Sequence, residues 1–146
     1  PRTAIEELPS TSEWRNISLT SSVRTITTEK GTNSTTGGSL PDSFSYGGKA
    51  ARLLTTQELN EACNITVGTS TTGELDTCNY LMENTTYSNS GIGNYGYWLE
   101  NPHSDYSNFA WVVNGGRHYV NYGTVSFAGS YGVRPVIEVL KSNIEY

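Results

Sequence analysis

Phe109 to Tyr122 reads FAWVVNGGRHYVNY, and this stretch decides the architecture. An apolar run, FAWVVN, is joined through Asn114-Gly115-Gly116 to a second run of large and polar residues. Asn and Gly tolerate positive φ, so the joint is a hairpin turn between antiparallel strands. Outward from this hairpin, the pattern predicts strands over Tyr95–Asn101, Phe109–Asn114, Arg117–Tyr122 and Val133–Leu140. Upstream the signals become helical. Thr55-Thr56-Gln57-Glu58-Leu59 opens a helix, with Thr55 as cap and Glu58 completing a capping box. That helix should run to about Cys63, and Leu75 to Glu83 carries a second helical pattern. Ala50 to Leu54 reads as a short buried strand, and Trp14 to Thr28 as one or two strands. Residues 1–13 read as a polar tail or docking strand, and 30–46, rich in Gly, Ser and Thr, as a flexible loop. The expectation is a single α+β domain over 1–146: two helices and a twisted antiparallel sheet, its first and last strands paired.

Composition agrees with a strand-rich domain. The chain has 146 residues, enough for one domain with its own core. Ten Tyr, three Trp and three Phe supply the bulky apolar mass, which suits strands. The net charge of −5 and the scattering of only nine basic residues exclude nucleic acid as a partner. No apolar run approaches membrane-span length, so no membrane contact is expected of this fragment. Pro1 in place of an initiator Met reads as a processed chain whose signal or anchor has been removed. Cys63 and Cys78 are the only cysteines; they form no C-x-x-C motif and have no nearby His to complete a zinc site. They read as one disulfide, hence an extracellular or cell-surface setting.

Signals for chemistry are weak. Gly91-Ile92-Gly93-Asn94-Tyr95-Gly96 matches G-x-G-x-x-G, but a dinucleotide site needs a strand before it and a helix after it, and here a Ser/Asn loop leads into an aromatic strand. The only histidines, His103 and His118, sit in no triad pattern and read as polar contact residues. Glu100, Asn101, Asp105 and Asn114 carry the oxygens that Ca²⁺ prefers, yet no D-x-D-x-D-G loop arranges them. The four N-x-S/T matches, at Asn16, Asn33, Asn64 and Asn84, carry little weight in so Asn- and Thr-rich a chain. No catalytic residue, cofactor or metal is expected, and the chain does not read as an enzyme.

Between Tyr97 and Val139 an apolar frame that includes Trp98, Trp111, Val112, Val113 and Val120 alternates with large hydrogen-bonding side chains. The candidate contact set is Asn94, Tyr95, Asn101, His103, Asp105, Tyr106, Asn108, Phe109, Asn114, Arg117, His118, Tyr119, Asn121, Tyr122 and Phe127. Rigid amphipathic rings interleaved with Asn suit recognition, because they supply contact area at low entropic cost. Spacing alone equally allows an ordinary Tyr-rich solvated face.

Four segments carry a resemblance: Tyr97-Trp98, Asn101-Pro102, Ala110-Trp111-Val112-Val113 and Gly132-Val133-Arg134-Pro135-Val136-Ile137. With Ala51-Arg52-Leu53-Leu54-Thr55 upstream and Cys78-Asn79-Tyr80-Leu81 between, residues 45–146 resemble the C-type-lectin-like domains of gut Firmicutes surface and pilin-like proteins. These share their architecture with formylglycine-generating enzymes and with the variable proteins of diversity-generating retroelements. The resemblance implies an extracellular, adhesin- or receptor-type domain presenting a variable Tyr/Asn/His-rich surface to a protein or glycan. The alternative it implies is a pilin-like subunit that self-associates in a filament. It also casts Trp98, Trp111, Gly132, Arg134 and Pro135 as framework. Gly132 would allow a close approach or unusual φ, Arg134 would bond loop carbonyls, and Pro135 would mark a strand edge. Two departures narrow it. No cysteine follows Cys78, so the copper chemistry of the enzymes is not expected, and Glu100-Asn101-Pro102 departs from the Glu-Pro-Asn order of calcium-dependent sugar sites.

Overall fold

The two runs on either side of Asn114-Gly115-Gly116 pair as antiparallel strands of the main sheet. A computed structural model of the chain describes residues 2–25, 43–65, 78, 81, 96–103, 109–114, 119–124 and 131–144. Numbered in chain order, helix α1 is Arg2–Glu6, strand β1 Val23–Thr25, β2 Ser43–Ser45 and helix α2 Thr56–Cys63. Strands β3 (Tyr97–Pro102), β4 (Phe109–Asn114) and β5 (Tyr119–Thr124) follow, with a 3-10 turn at Lys141–Asn143. The domain is α+β. Strands β3, β4 and β5 form an antiparallel sheet in that order, and β1 and β2 form a separate antiparallel pair.

The sheet is buried on both faces, which explains why every residue of β3 is enclosed instead of every second one. Alternate side chains project to opposite sides of a strand. Tyr97, Leu99, Trp111, Val113 and Val120 pack with Leu59, Cys63, Cys78 and Leu81 on one side. Trp98, Ala110 and Val112 pack with Ala4, Leu8, Tyr46, Ala51 and Leu53 on the other. Helix α2 and its disulfide therefore cover one face, and the N-terminal segment covers the other.

Helix α2 follows from local chemistry. Thr55 Oγ1 accepts from the Glu58 N–H at 3.1 Å, and the Thr55 N–H donates to Glu58 Oε2 at 3.0 Å, closing the capping box. Asn64 in the left-handed conformation (φ 52°) ends it. Asn101 Oδ1 accepts from the Thr56 N–H at 3.0 Å, tying the helix start to the end of β3. Cys63 and Cys78 are disulfide-bonded, with their Cα atoms 5.4 Å apart.

Four expectations are corrected. Within the expected tail or docking strand at 1–13, Arg2–Glu6 is helix α1, and the docking is confined to an antiparallel bridge of Ser10 with Lys49, flanked by backbone bonds from Thr11 to Gly48 and from Ala50 to Pro9. Five residues cannot sustain a helix alone, so it is held by burial of Ala4 and Leu8 and by Lys49 Nζ, which donates to the Glu6 and Leu8 carbonyls at 2.7 Å each. The expected loop at 30–46 ends in β2, whose partner β1 could not be identified from either segment alone. Val133–Leu140 is not a full strand: it makes a single bridge, from Val136 to Arg52, the neighbouring bridge to Tyr97 comes from Gly132 just before it, and Pro135 supplies no N–H between them. Finally, the first and last strands do not pair among the described residues. The C-terminal segment meets the N-terminal one through the Thr20 N–H, which donates to Glu138 Oε2 at 2.7 Å. Strand β4 has the expected bounds, β3 ends one residue later than expected, and β5 two later. The expected helix from Leu75 to Glu83 lies outside the described residues save for Cys78 and Leu81, both buried.

Candidate ligand-binding surface

The register of the sheet places the candidate residues at two separate ends. Trp111 faces Tyr122 and Phe109 faces Thr124, whereas Asn114 faces Tyr119. Since β3 runs antiparallel to β4, Pro102 and His103 lie with Phe109, and Tyr97 lies with Val113. A six-residue strand spans roughly 17 Å, so His103, Phe109 and Tyr122 belong to one end and Asn114 and Tyr119 to the other.

The first end is an aromatic cluster. The His103 ring stacks on Trp111 at 5.2 Å between centroids and meets Tyr122 edge-on at 4.7 Å. Tyr122 also meets Phe109 edge-on at 5.3 Å and Trp111 at 6.0 Å. Such edge-on and offset contacts match the ring quadrupoles and fix the rings in place. Phe109 and Tyr122 are half-buried, while Trp111 is fully enclosed and His103 is only 3% exposed. On the opposite face, Gly123 leaves room for Tyr131, whose Cε2 lies 2.9 Å from where a Cβ would stand. The half-buried Tyr131 ring meets Trp98 edge-on at 5.0 Å. Phe109, Tyr122 and Tyr131 thus rim one end of the sheet. Sequence reasoning misses Tyr131; its only signal is its place just before the Gly132 framework.

The remaining expected contact residues fall out as follows. Asn101 and His103 are enclosed, at 7% and 3% exposure, so their side chains serve the interior, Asn101 as partner of the α2 N-terminus. Asn114 and Asn121 are half-buried, and Asn121 Oδ1 accepts from the Tyr122 N–H at 2.8 Å. Asn94, Tyr95, Asp105, Tyr106, Asn108, Arg117, His118, Phe127 and the side chain of Tyr119 lie outside the described residues. Among the framework residues, Trp98 and Trp111 are buried and Pro135 is exposed. Arg134 Nη1 donates to the Leu81 carbonyl at 2.6 Å, and its guanidinium lies 5.5 Å over the Tyr97 ring. Gly132 bonds through both backbone groups to Gly96 and Trp98. The positive φ beside it belongs to Gly96, at 98°, not to Gly132.

A separate set of charged side chains satisfies itself through ion pairs. Arg52 bonds Glu58 through both terminal nitrogens and Glu138 through Nε at 2.9 Å. Burial pushes the Arg52 guanidinium down, but its carboxylate partners outweigh this and hold it above its ordinary value. Glu100, buried on β3, accepts from the Tyr46 hydroxyl at 2.9 Å, and that hydroxyl accepts from the Leu53 N–H. These contacts join elements of the fold. Among the described residues no three His, Cys, Asp or Glu side chains gather as a metal site would need, and no helix is long and apolar enough to cross a membrane. No family model, curated protein or solved structure matches the chain.

Proposed function

We propose that the chain is an extracellular recognition domain of C-type-lectin-like architecture that binds a protein or glycan without covalent chemistry. Its ligand meets the end of the sheet rimmed by Phe109, Tyr122 and Tyr131. The observation that carries this is three half-buried aromatic rings braced edge-on by their neighbours around one end of a sheet covered on both faces. Rings already fixed lose little freedom on binding, which is what makes aromatic side chains good anchors. The fold assignment draws support from the capped helix beside β3, the bridges of residues 132 and 136 back to the domain, and the disulfide. The disulfide also supports the extracellular setting.

A binding screen against glycans and cell-surface proteins, with and without a chelator, tests the reading. Phe109→Ser and Tyr131→Ser, each checked for folding, should weaken a ligand found this way by roughly tenfold or more. Binding that is undiminished in both variants, or that instead maps to the Asn114 and Tyr119 end, would overturn it.

A further inference from the structure

The segment after Pro135 presents an open strand edge. Exposure alternates along it: Pro135, Ile137 and Val139 face out, while Val136 and Glu138 are half-buried. That period of two is the mark of extended chain. Val136 exchanges both backbone hydrogen bonds with Arg52, at 3.0 and 2.8 Å, so the backbone groups of Ile137 and Val139 point the other way. Those groups make no hydrogen bond among the described residues. Ile137, Val139 and Leu140 are 42%, 52% and 67% exposed. Natural sheets guard such edges with charge or proline. Here the only acid, Glu138, is turned inward onto Arg52 and the Thr20 N–H, and the guards, Pro135 and Lys141, stand on either side of the stretch instead of within it.

We propose that residues 136–140 are a self-pairing edge, and that a second copy of this chain adds to it antiparallel about a two-fold axis through Glu138. The argument for a second copy is self-complementarity. In that register Ile137 faces Val139 of the other copy and Val139 faces Ile137, so the two open backbone pairs exchange four hydrogen bonds. The same register sets aliphatic side chains opposite each other on the outer face. Each Glu138 is turned inward onto its own Arg52, a cation it shares with Glu58, which lessens the repulsion that two facing acids would create. A strand this short covers far less than the ~800 Å² per partner of a standard interface, so the dimer is weak and reversible. The proposal stands apart from ligand binding at the aromatic rim.

Sedimentation of the whole chain over a wide concentration range should show a monomer–dimer equilibrium. Ile137→Lys, at an exposed position, should weaken that equilibrium by roughly tenfold or more. Mixing Ile137→Cys with Val139→Cys chains under mild oxidation should give the mixed disulfide, because directly opposed residues stand about 5.5 Å apart, within bridging range. Crosslinking between two Ile137→Cys chains should be disfavoured, since the two copies of that position are diagonal in this register. A monomer at every concentration, a dimer equally strong in Ile137→Lys, or preferred like-with-like crosslinks would overturn the proposal.

Discussion

Replacing Arg52 by Met tests whether the ion network holds the two ends of the chain to the helix. Arg52 makes hydrogen bonds to Glu58 through Nη1 and Nη2, to Glu138 through Nε and to the Leu53 carbonyl through Nη1. Its side chain is 8% exposed, while those of Glu58 and Glu138 are 36% and 21% exposed. Breaking a fully buried pair costs about 3–5 kcal/mol. Water reaches both carboxylates here, so the expected loss is at the lower end, about 3 kcal/mol, or roughly 10 °C in Tm. The pH dependence is the sharper signature. Burial pushes the Glu58 carboxyl up, yet hydrogen bonds from Arg52 and the Thr55 N–H outweigh it and hold the group below its ordinary 4.5. Burial does the same to Glu138, and the Thr20 N–H and Arg52 hold it below 4.5. A lowered carboxylate contributes stability that is fully present above the unfolded value and is lost as pH falls through the folded one. The gap between native and variant in urea titrations should therefore be widest near neutrality and narrow steadily below pH 4.5. A loss under about 0.5 kcal/mol at neutral pH, or a gap that does not narrow in acid, would refute the reasoning.

Other perturbations probe other joints. Reducing the Cys63–Cys78 bridge, or replacing both cysteines with Ser, should cost about 3 kcal/mol for a separation of 15 residues, read as a lower urea midpoint. Leu8→Ala should cost about 2–3 kcal/mol, because Leu8 is 2% exposed within the second core cluster; amide exchange should quicken across residues 2–8 first. Gly123→Ala should cost about 1 kcal/mol and move the Tyr131 ring off Trp98, seen as a change in near-ultraviolet circular dichroism, since the new Cβ would meet Tyr131 Cε2 at 2.9 Å.

The elements legible in the sequence are those whose stabilising groups sit within a few residues of one another. Thr55 and Glu58 are three apart, so the start of α2 can be read directly, and FAWVVN carries its own strand pattern up to the Asn114 turn. The aromatic end is half legible. Phe109 and Tyr122 stand out by type, but their meeting depends on the register that sets Trp111 against Tyr122. Tyr131 reaches the rim only because Gly123, a residue with no side chain to notice, leaves it room. His103 and Asn101 read as surface contacts because polar residues usually face water. Their burial follows from a sheet covered on both faces, which no single strand discloses.

The N-terminal segment draws the same line. Ala4 and Leu8 lie four apart, a helical spacing, but five residues hold no helix in water; α1 exists because Lys49, 43 residues from Glu6, binds the Glu6 carbonyl at its end and the core takes Ala4 and, just beyond the helix, Leu8. The amino-acid sequence by itself determined the capped helix, the central strands and the α+β class, since these rest on hydrogen bonds and periodicities spanning a few residues. Only the tertiary structure decided that Glu138 belongs to Arg52, that the last segment bridges to Arg52 and Tyr97, and that the contact residues divide between two ends of the sheet. Those outcomes depend on bringing distant segments together, and the free energy that selects one such arrangement comes from burial shared across the chain, not from any stretch of it.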